Sequence, residues 1–149
     1  ADIPLSEAVD TLHLPIAGQP TATGMGNPHC TFFVEDADQI SLETFGPEHE
    51  HHPLFPERTN VQVVHLIAPD NLRMRVWERG TGVTLASGSS SCAVAVAAHR
   101  RGLIGRDVKL TLDGGDIDIA WRDDGVWMTG PTAHVFTASL TADFLAGAI

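Results

Sequence analysis

Hydrophobic and polar positions change their period along this chain, and the changes mark its elements. From Leu72 to Glu78, the apolar Leu72, Met74 and Val76 alternate with Arg73, Arg75 and Trp77. A period of two predicts a strand with one face buried. Asn60 to Ala68 is a β-rich run just before it, and the Pro69-Asp70-Asn71 link predicts a hairpin. Thr31-Phe32-Phe33-Val34 reads as a buried strand, preceded by a tight polar turn over Gly24 to Cys30. Val108–Leu112, Ile117–Trp121, Val126–Thr129 and Ala133–Leu140 are further expected strands, making seven, with turns at Gly114-Gly115 and Asp123-Asp124-Gly125.

One stretch has neither period. Residues 93–98 carry no polar side chain on any face, between a Gly/Ser-rich lead-in and Arg100, Arg101 and Gly102. That predicts a helix over 89–101, with Ser89 or Ser90 as N-cap and Gly102 at the left-handed C-cap position. A helix apolar all round but far too short for a membrane belongs at the centre of a domain. Two minor helices are expected, one over Ser41–Phe45 and one from Pro47 to His51, ended by Pro53 and Pro56. Pro4, Pro15 and Pro20 limit regular structure in the first twenty residues. Runs of strands with segregated helices predict an α+β domain wrapped around helix 89–101.

Composition narrows the classes. A chain of 149 residues suggests one domain. Its 43% hydrophobic and 19% charged residues are ordinary for a globular protein. A net charge of −10 leaves no basic face for nucleic acid and disfavours anionic membrane surfaces. The segment Ala1-Asp2-Ile3-Pro4-Leu5 lacks a signal-peptide pattern, and two cysteines are too few for a secreted disulfide scaffold. A cytoplasmic location is the expectation.

Three stretches are over-specified for structure alone: Met25–Cys30, Thr59-Asn60-Val61, and Glu78-Arg79-Gly80 leading into Ser87–Cys92. Each falls at a strand end or turn, where sites are usually built. The start of helix 89–101 should offer free backbone N–H groups to an anion. Plainer readings compete with these. Asn27 alone suits a turn, His29 a satisfied core position, and Glu78-Arg79 a surface ion pair. The His49-Glu50-His51-His52 run fits no standard zinc spacing and reads as a solvated helix end. Cys30 and Cys92 are expected reduced and buried, and Trp77, Trp121 and Trp127 to serve packing.

Taken in order, Met25-Gly26-Asn27-Pro28-His29-Cys30, His52-Pro53-Leu54-Phe55-Pro56 with Thr59-Asn60-Val61, Glu78-Arg79-Gly80-Thr81-Gly82 and Met128-Thr129-Gly130-Pro131 closely resemble the diaminopimelate epimerases. The resemblance runs from Ile3 to about Phe136 and matches only that family's second half. It implies a mixed or antiparallel curved sheet around one central buried helix. It also implies two-base chemistry: one cysteine thiolate removes the α-proton of an amino acid, and a second thiol on the other half protonates the opposite face. No cofactor or metal takes part. Carried over by position, Asn27 and Asn60 hold the distal amino-carboxylate end of the small-molecule substrate. Glu78 and Arg79 contact it as well, and the backbone of Gly88 and Ser89 holds the reacting carboxylate. His29 and Glu78 tune the two thiols.

One departure bears on catalysis. Where the family reads Ala-Cys-Gly-Thr-Gly-Ala-Cys, this chain reads Ala86-Ser87-Gly88-Ser89-Ser90-Ser91-Cys92, so the catalytic cysteine position holds Ser87. A serine hydroxyl is a weaker acid than a thiol by about five pKa units, or roughly 7 kcal/mol against forming the anion. Three readings follow: an epimerase half weakened at Ser87, a silent substrate-binding domain, or a relative such as a proline racemase, hydroxyproline epimerase or dehydratase. The family's first half would be the natural partner. The tail, 137–149, would return toward it, and without it would pack differently on this domain or mediate a homodimer.

Overall fold

The structure, a computed structural model, describes residues 3–147. Strand β1 (Thr21–Gly24) pairs antiparallel with β2 (Pro28–Phe33), and a crossover through helix α1 (Leu42–Glu50) leads to β3 (Asn60–Ala68), parallel to β2. Then β3 and β4 (Asn71–Glu78) form the expected antiparallel hairpin, and the short β5 (Gly82–Thr84) turns back onto β4. Helix α2 (Gly88–Arg100) crosses to β6 (Asp107–Leu112), which lies parallel to β4. A meander through β7 (Gly115–Arg122) and β8 (Gly125–Thr129) completes a mixed sheet in the order β1-β2-β3-β4-β6-β7-β8.

That sheet is curled. Helix α2 touches β1, β2 and β3 near one edge and β7 and β8 at the other. Residues 93–98 are all buried, as a helix apolar on every face requires. Strand alternation sorts the rest. Val64, Leu72, Met74 and Val76 face inward with Val94, Ala95 and Ala98, while Cys30, Phe32, Val61 and Val63 face outward into a second core with Leu42, Leu54 and Phe55.

Several expectations are corrected. The helix begins one residue early: Ser87, not Ser89 or Ser90, occupies the N-cap position. Gly102 does adopt the left-handed conformation after the helix, at φ 72°. The two minor helices are one, with Pro47 inside α1, where the missing N–H costs a single backbone bond. Ala133–Leu140 is not a strand, because no neighbour offers it a ladder. Instead β1 and β5 join the sheet, and the polar turn shrinks to Met25-Gly26-Asn27. Every residue from 127 to 147 is exposed, including the short α3 (Ala142–Leu145), so the tail does not pack on this domain. Trp127 is exposed too, and Cys92 is only half-buried. Residue 149, one of the tail's apolar positions, lies outside the described residues.

Candidate active site

On the inner face of the sheet, a cluster of polar side chains lies beside the N-terminus of α2. His29 on β2 and Gln62 on β3 both point inward, toward Ser90 in the first turn of α2. Gln62 Nε2 donates to His29 Nδ1 (3.0 Å) and to Ser90 Oγ (3.0 Å), while its Oε1 accepts from Thr31 Oγ1 (3.1 Å). His29 Nε2 is left to donate to Asn27 Oδ1 at 2.9 Å. Both ring nitrogens are thereby assigned: neutral imidazole, proton on Nε2. Burial, with the Arg79 charge adding to it, lowers the His29 pKa to about 4.

Asn60, at the start of β3, ties three stretches together. Its Nδ2 donates to the Pro28 carbonyl at 2.9 Å, and its Oδ1 accepts from the Arg79 backbone N–H at 2.9 Å. Glu78 ends β4. One carboxylate oxygen accepts from Thr84 Oγ1 (2.7 Å), and the other from Ser87 Oγ (2.8 Å). Ser87 sits at the N-cap yet makes no side-chain capping bond, since its hydroxyl is turned to Glu78. Among the described residues, the Gly88, Ser89 and Ser90 amides find no backbone acceptor, as expected for a first helical turn. Met128, from the last motif, lies over Gly88 so closely that a Cβ there would come within 3.2 Å of its methyl.

So Asn27 with His29, Asn60 with Arg79, and Glu78 with Ser87, far apart in sequence, are joined by hydrogen bonds around the first turn of α2, where Gly88 and Ser89 follow Ser87, and Glu78 and Arg79 are half-buried. Arg79 Nη1 is held by the Glu57 carbonyl at 3.0 Å. A separate cavity of about 620 Å³, lined in part by Thr23, Met25, Arg100 and Trp121, lies along the other end of α2 and includes none of these groups.

Sequence reasoning missed Gln62, Ser90, Thr84 and, above all, Glu50. Residues 49–52 are not a uniformly solvated helix end: His49 and Glu50 are buried. The His49 ring stacks on Phe45 (4.1 Å between centroids) with Nδ1 at 2.8 Å from the Phe45 carbonyl. Glu50 accepts from Trp77 Nε1 (2.6 Å) and the Gly80 N–H (2.8 Å), and pairs with Arg58 (3.3 Å). Its desolvation works against the charge, but the Trp77 and Gly80 bonds together with the nearby His51 and Arg58 outweigh it and lower the pKa. The signal was positional: the buried residues of α1 are Leu42, Gly46, His49 and Glu50, one helical face disguised by residue types that do not look apolar. Among the described residues, no group of three or more His, Cys, Asp or Glu side chains is placed to hold a metal. Burial raises the pKa of both Cys30 and Cys92, so neither is poised as a thiolate.

A family model described as diaminopimelate epimerase matches residues 21–135. This chain belongs to the diaminopimelate epimerase family. Curated diaminopimelate epimerases from Rhodospirillum centenum and Acidiphilium cryptum are each 53% identical to it, over 99% and 97% of its length. The chain spans about half the length of those relatives, 52% and 54%. Among solved structures, a phenazine biosynthesis PhzF-family protein of Enterococcus faecalis aligns with a TM-score of 0.61 at 9% identity, over 80% of this chain and 44% of that one. A PhzF-family protein of Bacillus anthracis aligns at 0.50 and 21% identity, over 73% and 37%. These likenesses concern the fold: the diaminopimelate epimerase half shares its curled α+β architecture with them. No helix among the described residues is long and apolar enough to cross a membrane.

Proposed function

We propose that this chain is the substrate-binding second half of a cofactor-independent epimerase that interconverts LL- and meso-diaminopimelate by two-base proton transfer. The observation carrying this reading is that four motif stretches meet at the N-terminus of α2, joined by the Asn60–Arg79 and Ser87–Glu78 hydrogen bonds. In this reading Asn27, Asn60 and Arg79 bind the distal amino-carboxylate end of the substrate. The Gly88 and Ser89 amides receive the reacting carboxylate, where helix N–H groups and the dipole favour an anion. Donors aligned on that carboxylate also stabilise the enolate-like charge that grows as the α-proton leaves. His29 stays neutral and orients Asn27, while Glu78 fixes the group at position 87. A first half with its own cysteine loop closes over the open mouth and presents the second proton-transfer group. The exposed tail beyond about residue 136 reaches toward that half, and the same apolar side chains give a homodimer as the other outcome. The reaction takes place in the cytoplasm.

Ser87 favours a second reading, a domain that binds substrate without turning it over. Its hydroxyl donates to Glu78, and forming an alkoxide there is opposed by roughly 7 kcal/mol relative to a thiolate. The two readings separate in one experiment on the full-length protein: incubation with diaminopimelate in D2O, with mass spectrometry of the α-carbon and calorimetry of binding. Deuterium incorporation supports the epimerase. Binding without incorporation selects the silent domain, and absence of both refutes the proposed substrate.

A further inference from the structure

The carboxylate of Glu50 lies in none of the motif stretches, yet three donors converge on it, and two of the three flank Glu78 and Arg79, Trp77 at the end of β4 and Gly80 in the turn after it. Gly80 N–H reaches Oε1 at 2.8 Å, Trp77 Nε1 reaches Oε2 at 2.6 Å, and Arg58 Nη1 lies 3.3 Å from Oε1. The Glu50 backbone carbonyl takes a further bond, from the Thr59 N–H at 3.2 Å. Trp77 and Gly80 bracket Glu78-Arg79, and Thr59 precedes Asn60. One residue of α1 thus grips both chain segments that carry the proposed substrate contacts, and Asn60 and Arg79 are in turn bonded to each other. Glu50 is 3% exposed. Burying a charge is costly, and an apolar residue would fill the space without that cost. A carboxylate is required here only if its acceptors are needed.

We propose that Glu50 is a positioning residue for substrate binding, holding the 78–80 turn and the start of β3 so that Arg79 and Asn60 present their polar groups together. The proposal rests on the reading of the site given above. Glu50 does not touch the substrate. It acts through Gly80, Trp77 and Thr59.

In the full-length protein, Glu50→Gln keeps the shape but replaces one acceptor oxygen with an NH2 that must face either the Trp77 or the Gly80 N–H. Calorimetry with diaminopimelate should give a Kd raised tenfold or more. Amide hydrogen exchange over 78–81 and 59–60 should speed up by at least tenfold, with α2 and β6–β7 unchanged. Adding Trp77→Phe removes the indole donor, so the glutamine NH2 faces no donor and its oxygen can serve Gly80. The double variant should recover at least half of the lost binding free energy, although it has lost another contact. A purely structural Glu50 predicts the reverse: falling stability through the series, with substrate affinity of the folded protein unmoved. Unchanged Kd in Glu50→Gln, or no local change in exchange, overturns the proposal. A parent protein that fails to bind diaminopimelate refutes the functional reading instead, and the exchange pattern then decides the role of Glu50 by itself.

Discussion

Lowering the pH from 7 to 5 should destabilise this domain through one side chain, His29. It is fully buried, its Nδ1 receives hydrogen bonds from Gln62 and faces the Ser90 hydroxyl, and its Nε2–H is spent on Asn27. Protonation would set a second N–H against the Gln62 donor at a fully buried position. Burial first, and the Arg79 charge second, hold the folded pKa at about 4, against 6.5 for a free imidazole. Because the folded value is depressed, the unfolded chain binds the proton first. The stabilisation is therefore complete above about pH 6.5 and drains away as the pH falls toward 4. The gap of 2.5 units corresponds to about 3 kcal/mol in all, of which about 2 kcal/mol is lost between pH 7 and pH 5. That is a large share of the 5–15 kcal/mol typical of a domain. Urea unfolding at pH 7 and pH 5 measures it, and subtracting the same difference for His29→Gln removes the contribution of every other group. Asp38 and Glu50 are both held below their ordinary values by their donors and so stay largely ionised at pH 5. If His29→Gln loses as much stability on acidification as the parent, or if the His29 ring titrates near 6.5 by NMR, the buried network is not as described.

Gly46 lies under Trp77, where an added Cβ would come within 2.3 Å of the indole ring. Gly46→Ala should therefore cost about 1–3 kcal/mol in urea unfolding despite alanine's better helix propensity, and a gain in stability would contradict the packing. The tail's side chains Leu140, Phe144 and Leu145 are all more than half exposed. Deleting residues from 137 onward should shift the stability of this domain by less than about 0.5 kcal/mol. If the tail mediates a homodimer, sedimentation of the intact chain should show it and the deletion should abolish it; a clean monomer in both removes the dimer.

How much of this was legible in the sequence depended on whether residue type and environment agreed. Helix α2 and the β3–β4 hairpin were plain, because their side-chain patterns match their burial. Helix α1 was misread in two ways. Pro47 suggested a break, though inside a helix it forfeits only one bond, and Glu50 suggested solvent, though it is among the more buried charges of the chain. Ala133–Leu140 has strand-like residues but no neighbour to pair with, a fact that composition cannot reveal. The site was readable only as separated motifs. Their meeting at one helix terminus follows from two parallel pairings, β2 with β3 and β4 with β6, which no local pattern specifies. Gln62 and Thr84, which hold His29 and Glu78 in place, carry no sequence signal beyond strand alternation.

As proposed above, the N-terminus of α2 belongs to a proton-transfer site for an amino acid, weakened by serine at position 87. The most direct measurement is the rate of α-hydrogen exchange of diaminopimelate in D2O by the full-length protein, before and after Ser87→Cys. Exchange should rise by at least a hundredfold with the cysteine, since about 7 kcal/mol of acid strength is returned to the group beside Glu78 and only part of it need appear in the rate. Equal rates in the two proteins, or no exchange in either with substrate bound, would contradict it.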